Sequence, residues 1–164
     1  MKYFAYGSNM NTKRLRGRVP SAAKLSTGAL NNFTLRFHKR STDGSAKCDA
    51  FYTNNKSDEV RGVIYEIDES EKCSLDDAEG LGKGYNQITI RVKSENEIIE
   101  TFTYVADQTE IDETLNPYSW YKDLVISGAR EHYLPESYVR KLELIKPIAD
   151  PDKNREARHL KLLS

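Results

Sequence analysis

Hydrophobic and polar positions alternate through the middle of the chain and shift to a helical spacing towards its end. Phe33, Leu35 and Phe37 fall on one face of an extended segment and predict a strand over 33–38. Ile88, Ile90 and Val92 do the same for 85–92, and 98–105 pairs with it across a Ser-Glu-Asn-Glu turn at 94–97. Residues 22–30, 48–53 and 60–67 are further predicted strands, and the polar stretch 40–47, with Asp43-Gly44, is a loop. A short apolar strand over 2–6 ends at Gly7-Ser8-Asn9, and a helix follows over about 10–16. Asp68 is positioned to cap a helix from Glu69 towards Glu79, which Gly80, Gly82 and Gly84 break. Asn116-Pro117 predicts a helix to Glu131, and Pro135 opens another to about Ile145. The charged tail, 150–164, reads as one further helical turn or a loose end. Strands dominate the middle and helices the end, which gives an α+β class with a curved or closed sheet. Periodicity leaves the topology open.

The chain has 164 residues, which fits one domain over 1–164 with a core that needs no disulfide staples. Acidic and basic residues balance at 25 each, which argues against a general grip on nucleic acid or on an anionic membrane. Lys13, Arg14, Arg16 and Arg18 cluster, but they read as the exposed face of an amphipathic helix. Cys48 and Cys73 lack ligand spacing, and His38, His132 and His159 are scattered, so neither a metal nor a cofactor is implied. Both cysteines are expected as reduced packing residues. No apolar run is long enough to span a membrane, and the opening MKYFAYGSN is too short and polar for a signal peptide, so the expected compartment is the cytoplasm.

Two stretches carry candidate chemistry. Tyr6-Gly7-Ser8-Asn9 lies between a strand and a helix, where glycine allows close backbone approach and free amides suit a carboxylate or an oxyanion. Taken alone, this is more often an ordinary turn with Ser8 or Asn9 as the N-cap. Ser74-Leu75-Asp76-Asp77-Ala78-Glu79-Gly80 is an acidic helix end beside three glycines. A carboxylate is disfavoured at the negative end of a helix dipole, a placement that suits acid–base work, although a solvated turn is the commoner case. Ten tyrosines are many, and such residues often line a wet pocket. For Tyr104, Tyr118, Trp120 and Tyr121, packing is the plainer role.

As an ordered set, KYFAYGSNMNTKRL, VRGVIYEI, SLDDAEG and WYKDLVISGAREHYLPESYVRKL resemble the γ-glutamylcyclotransferase-like (AIG2-like) family from residue 1 to about 148. The γ-glutamylamine branch and plant AIG2-like proteins typically read YGTL at the first motif, and the glutathione-specific branch GYGSL. This chain reads YGSN, and so is similar to the branch acting on γ-glutamyl amino acids, which also includes enzymes that strip a γ-glutamyl protecting group from a specialised metabolite. The resemblance implies a small mixed-strand β-barrel flanked by helices. It assigns the catalytic role to Glu79 and substrate binding to Tyr6, Gly7, Ser8, Asn9, Tyr85, Tyr104 and Tyr121. Asp76 and Asp77 are rivals to Glu79, expected to face solvent.

The implied reaction is an internal aminolysis that releases 5-oxoproline and an amine, as in glutathione metabolism. It needs no enzyme nucleophile, cofactor or metal. It needs a group to move a proton between two nitrogens and donors for a developing oxyanion. The implied partner is a small γ-glutamyl substrate, with neither nucleic acid nor membrane, and a homodimer is left open. A non-catalytic small-molecule-binding module on the same fold is the alternative of a different class, although a binder would have no need of the acid.

Overall fold

The structure is a computed structural model that describes all 164 residues. Its strands are β1 (Lys2–Ala5), β2 (Ala23–Asn31), β3 (Phe33–Arg40), β4 (Ala46–Tyr52), β5 (Glu59–Glu66), β6 (Tyr85–Lys93) and β7 (Ile98–Ala106). Its helices are α1 (Thr12–Arg16), α2 (Lys72–Glu79), α3 (Ser119–Glu131), α4 (Glu136–Glu143) and α5 (Lys153–Leu160). Five strands close a barrel in the order β1-β5-β2-β6-β7. Every pairing is antiparallel except β1 with β7, which run parallel where Tyr3 meets Phe102. This is the mixed-strand barrel with flanking helices that the sequence resemblance implies.

The barrel is narrow because two glycines face each other across β2 and β5, Gly28 opposite Gly62. A β-carbon on Gly28 would sit 2.5 Å from Val92 Cγ1, and one on Gly62 would sit 2.3 Å from the Ala5 carbonyl oxygen. Any side chain there would force the strands apart. Phe4, Val63, Ile64 and Val92 of the barrel strands join Leu124, Val125 and Ala129 of α3 in one continuous buried core. The β3–β4 hairpin forms a separate two-stranded sheet, and Asp49, which buried His38 holds in place, ties it to the barrel. The two imidazole nitrogens of His38 lie 2.8 Å from Asp49 and 2.9 Å from Glu113. The other Asp49 oxygen accepts the Ala106 N–H of β7 at 2.8 Å.

Several local expectations shift. The first helix is a 3-10 turn at Ser8–Met10 followed by α1, and its cap is Asn11, not Ser8 or Asn9. The Asn11 side chain accepts the Arg14 N–H at 2.8 Å. Helix α3 begins two residues after Pro117, because Pro117 and Ser119 pair with Ile148 as a strand would and keep Tyr118 extended. The tail forms two turns, α5, and is tied down. Fully buried Asp150 takes Arg155 through two oxygens at 2.7 and 2.5 Å and accepts the Trp120 indole N–H at 2.8 Å. Those contacts hold the Asp150 carboxyl well below the usual range, with Arg155 the largest cause. No helix is long and apolar enough to cross a membrane.

Candidate active site

The site forms where β1 runs into the 3-10 turn and α2 ends beside it. Helix α2 stops at Gly80, which adopts the left-handed conformation (φ 69°) and lets the Leu81 N–H return to the Asp76 carbonyl at 2.9 Å. This stop leaves Glu79 on the last turn, facing the Gly7–Asn9 segment. Glu79 Oε1 accepts the Asn9 side-chain N–H at 2.8 Å and pairs with Arg18 at 2.7 Å. Arg18 also donates to Asn9 Oδ1 at 2.9 Å, so the three residues form a closed triangle. Asn9 reaches in addition to the Tyr3 hydroxyl at 3.1 Å. Glu79 Oε2 has no hydrogen-bond partner in the protein, and the side chain keeps 18% of its surface exposed.

A small cleft opens in front of this carboxylate. The residues to which the resemblance assigns catalysis and substrate binding all line it: Tyr6, Gly7, Ser8, Asn9, Glu79, Tyr85, Tyr104 and Tyr121. The Gly7 N–H in this lining donates to no protein group. A β-carbon on Gly7 would come within 3.2 Å of Cys48 Cβ, so the strand-to-helix turn packs tightly on β4.

The tyrosines form walls held by their own hydroxyls. Tyr6 donates to the Tyr104 carbonyl at 2.5 Å, Tyr85 donates to the Cys48 carbonyl at 2.6 Å, and Tyr121 accepts the Cys48 N–H at 3.1 Å. Burial raises the phenol pKa of all four, together with that of Tyr3, so they remain neutral hydrogen-bonding groups.

Sequence reasoning missed Tyr3, Cys48 and Thr103, which also line the cleft. Cys48 is a free buried thiol pushed up to about 12 by burial, which keeps it protonated and unsuited to nucleophilic attack. Cys73, expected as a packing residue, is exposed on α2. Asp76, expected in solvent, is half-buried against the barrel, accepts the Tyr104 hydroxyl at 2.6 Å and pairs with Lys72. Asp77 is exposed as expected.

The basic cluster also divides. Lys13 and Arg16 are exposed, but Arg14 and Arg18 turn inward, since helix α1 ends at Arg16 and the chain bends at Gly17. Arg14 donates to the Ser8 hydroxyl at 3.0 Å and contacts His159 of α5 at 3.2 Å, and His159 stacks on Trp120 at 3.8 Å. The tail therefore buttresses the site through Arg14. No set of three His, Cys, Asp or Glu side chains converges where a metal could be held.

Comparison with known proteins fits this geometry. The AIG2-like family matches residues 59–142. The mouse and human γ-glutamylcyclotransferases are each 35% identical over 150 residues, covering 88% of this chain and 78% of theirs. A solved γ-glutamyl cyclotransferase superposes with a TM-score of 0.85 at 30% identity, covering 98% of both chains. A closed barrel with a carboxylate at a tyrosine-lined mouth thus defines an enzyme of the γ-glutamylcyclotransferase type. The chain belongs to the AIG2-like family, among its γ-glutamylcyclotransferases.

Proposed function

We propose that the protein cyclises the γ-glutamyl group of a γ-glutamyl amide to 5-oxoproline and releases the amine, with Glu79 as general acid and base. The observation that carries this reading is the Glu79 carboxylate. One of its oxygens is fixed by Asn9 and Arg18, and the other is unpartnered beside the cleft. The substrate α-amine attacks its own γ-carbonyl carbon and passes a proton to Glu79 Oε2. The lactam C–N bond forms, the original amide C–N bond breaks, and Glu79 returns the proton to the departing nitrogen. The Gly7 N–H is a donor suited to the carbonyl oxygen as it gains charge, or to the substrate carboxylate. The tyrosine walls hold the glutamyl chain bent, and positioning of this kind can supply roughly 7 kcal/mol or more in well-oriented cases. γ-Glutamyl amino acids are the substrates favoured by the YGSN motif.

Release of 5-oxoproline from γ-glutamyl amino acids, glutathione and γ-glutamylamines tests the reading, with Glu79→Gln beside the wild type. Turnover of one class, lost in the mutant by orders of magnitude at an unchanged melting temperature, is the expected result. Equal activity of the two proteins would remove Glu79 from the reaction. Tight binding without turnover by the wild type would favour a binding module.

A further inference from the structure

Beyond the cleft lies a wider outer chamber that shares Ser8, Glu79, Tyr85 and Tyr121 with it. Since Glu79 stands between the two, a glutamyl group in the inner cleft would direct its leaving amine into the outer chamber. The two differ sharply in charge. The outer chamber is lined by Arg14, Arg18, Lys39, Lys47 and Lys83, against Asp77 and Glu79. Arg18 is taken by Glu79 and Lys47 by Asp43 at 2.7 Å. Arg14, Lys39 and Lys83 have no carboxylate within ion-pair distance, and Asp77 in the lining and Glu110 behind Lys39 offset them only in part, so the chamber stays net positive.

Lys39 is the unusual member. It lies on β3 just past a bulge, is only 9% exposed, and its ammonium forms no hydrogen bond or direct ion pair. Its ammonium sits 4.8 Å from the centre of the Tyr85 ring and against Gly84, where a β-carbon would come within 2.6 Å of the nitrogen. Glu110 is its nearest carboxylate but stands beyond ion-pair distance, so neither it nor the ring face fully offsets the cost of burying the charge. Burial lowers the lysine pKa, the expected response of a cation lacking a partner. Gly84 (φ 124°) leaves room for that ammonium, with Glu110 on the same side, so the chain is shaped around a cation that no direct ion pair holds.

We propose that the outer chamber is a subsite for an anionic leaving amine, with Lys39 as its specificity-determining residue and Arg14 and Lys83 beside it. The positive lining favours a leaving amine in proportion to the carboxylates it carries, so γ-glutamyl conjugates of acidic amino acids are the favoured class. This inference rests on the cyclotransferase reading for the direction in which the substrate lies.

Three substrates test it: γ-glutamyl-glutamate, γ-glutamyl-alanine and γ-glutamyl-methylamide, whose leaving amines carry two, one and no carboxylates. Wild-type kcat/KM should rise in the order methylamide, alanine, glutamate. Lys39→Met should cut the preference for γ-glutamyl-glutamate over the methylamide by about tenfold or more, and Lys39→Arg should retain most of it. The exposed Lys83→Met, which has no packing to lose, should cut it by about twofold. Melting temperatures check that each variant is folded. Equal efficiency on all three substrates, or a Lys39→Met enzyme with its preference intact, would overturn the subsite while leaving the cyclotransferase reading standing. If the wild type turns over none of the three, that reading falls. Calorimetric titration with γ-glutamyl-glutamate then decides the subsite by itself: binding weakened about tenfold by Lys39→Met supports it, and absent or unaltered binding overturns it.

Discussion

The inner cleft and the outer chamber meet at Glu79 and follow opposite rules. In the cleft the polar wall groups are largely spoken for: tyrosine hydroxyls are bonded to backbone and Asn9 is bonded to Tyr3, Arg18 and Glu79. In the chamber, Lys39 and Lys83 have no partner and Arg14 has only neutral ones. A satisfied wall is rigid and selects by shape. An unsatisfied one selects by charge, because a ligand must complete it. In the proposed reaction the constant half of the substrate is read inside and the variable half outside.

The largest expected effect breaks the inner half. Glu79→Gln should lower turnover by roughly 10²–10⁴-fold, the usual range for losing a general acid–base group, while urea denaturation changes little. Next is the support behind the cleft. A β-carbon on Gly128 of α3 would lie 2.5 Å from the Asn11 nitrogen and 2.6 Å from the Met10 carbonyl carbon. Gly128→Ala should therefore cost about 1–3 kcal/mol by overpacking, read as a lower urea midpoint, and should reduce turnover by displacing the Gly7–Asn9 turn. A smaller effect follows from Tyr104→Phe, which takes the hydroxyl from Asp76 and should cost about 1 kcal/mol. It should alter KM for every substrate alike, whereas changes at Lys39 should separate them.

The smallest effect concerns the outer support. Burial, and then the charge of Arg14, push the His159 imidazole down to about 4, whereas a released ring titrates near about 6.5. The docked tail therefore binds fewer protons than the released tail below pH 6.5. Docking should be complete above that value and weaken as pH falls towards 4. Trp120 is the only tryptophan and stacks on His159, so its fluorescence should follow this change. In His159→Phe the dependence over that pH range should vanish.

Where a residue's role is set by its immediate neighbours in the chain, it was legible. The alternation at 85–92 and 98–105 predicts a hairpin that the structure pairs residue for residue, Ile88 with Thr103 and Ile90 with Thr101. Gly80, at the end of an acidic helix, marks where α2 stops and so where Glu79 points. Arg18 was misjudged because helical spacing carries no information about a bend at Gly17, and Asp76 because its partner Tyr104 lies 28 residues away. One signal for the missed Tyr3 was available, since β1 runs directly into the YGSN motif.

The sequence by itself determined the strand and helix types, the positions of the glycine breaks, the zero net charge and the motif order that marks the family. All of these depend on local backbone preferences and on residue identity. Only the tertiary structure decided the barrel order, the Asn9–Arg18–Glu79 triangle, the docking of the tail on Trp120 and the burial of Lys39 without a direct ion pair. Each of these depends on which distant segments meet and on how much water the meeting excludes. Neither a charge's partner nor its desolvation is encoded at any single position of the chain.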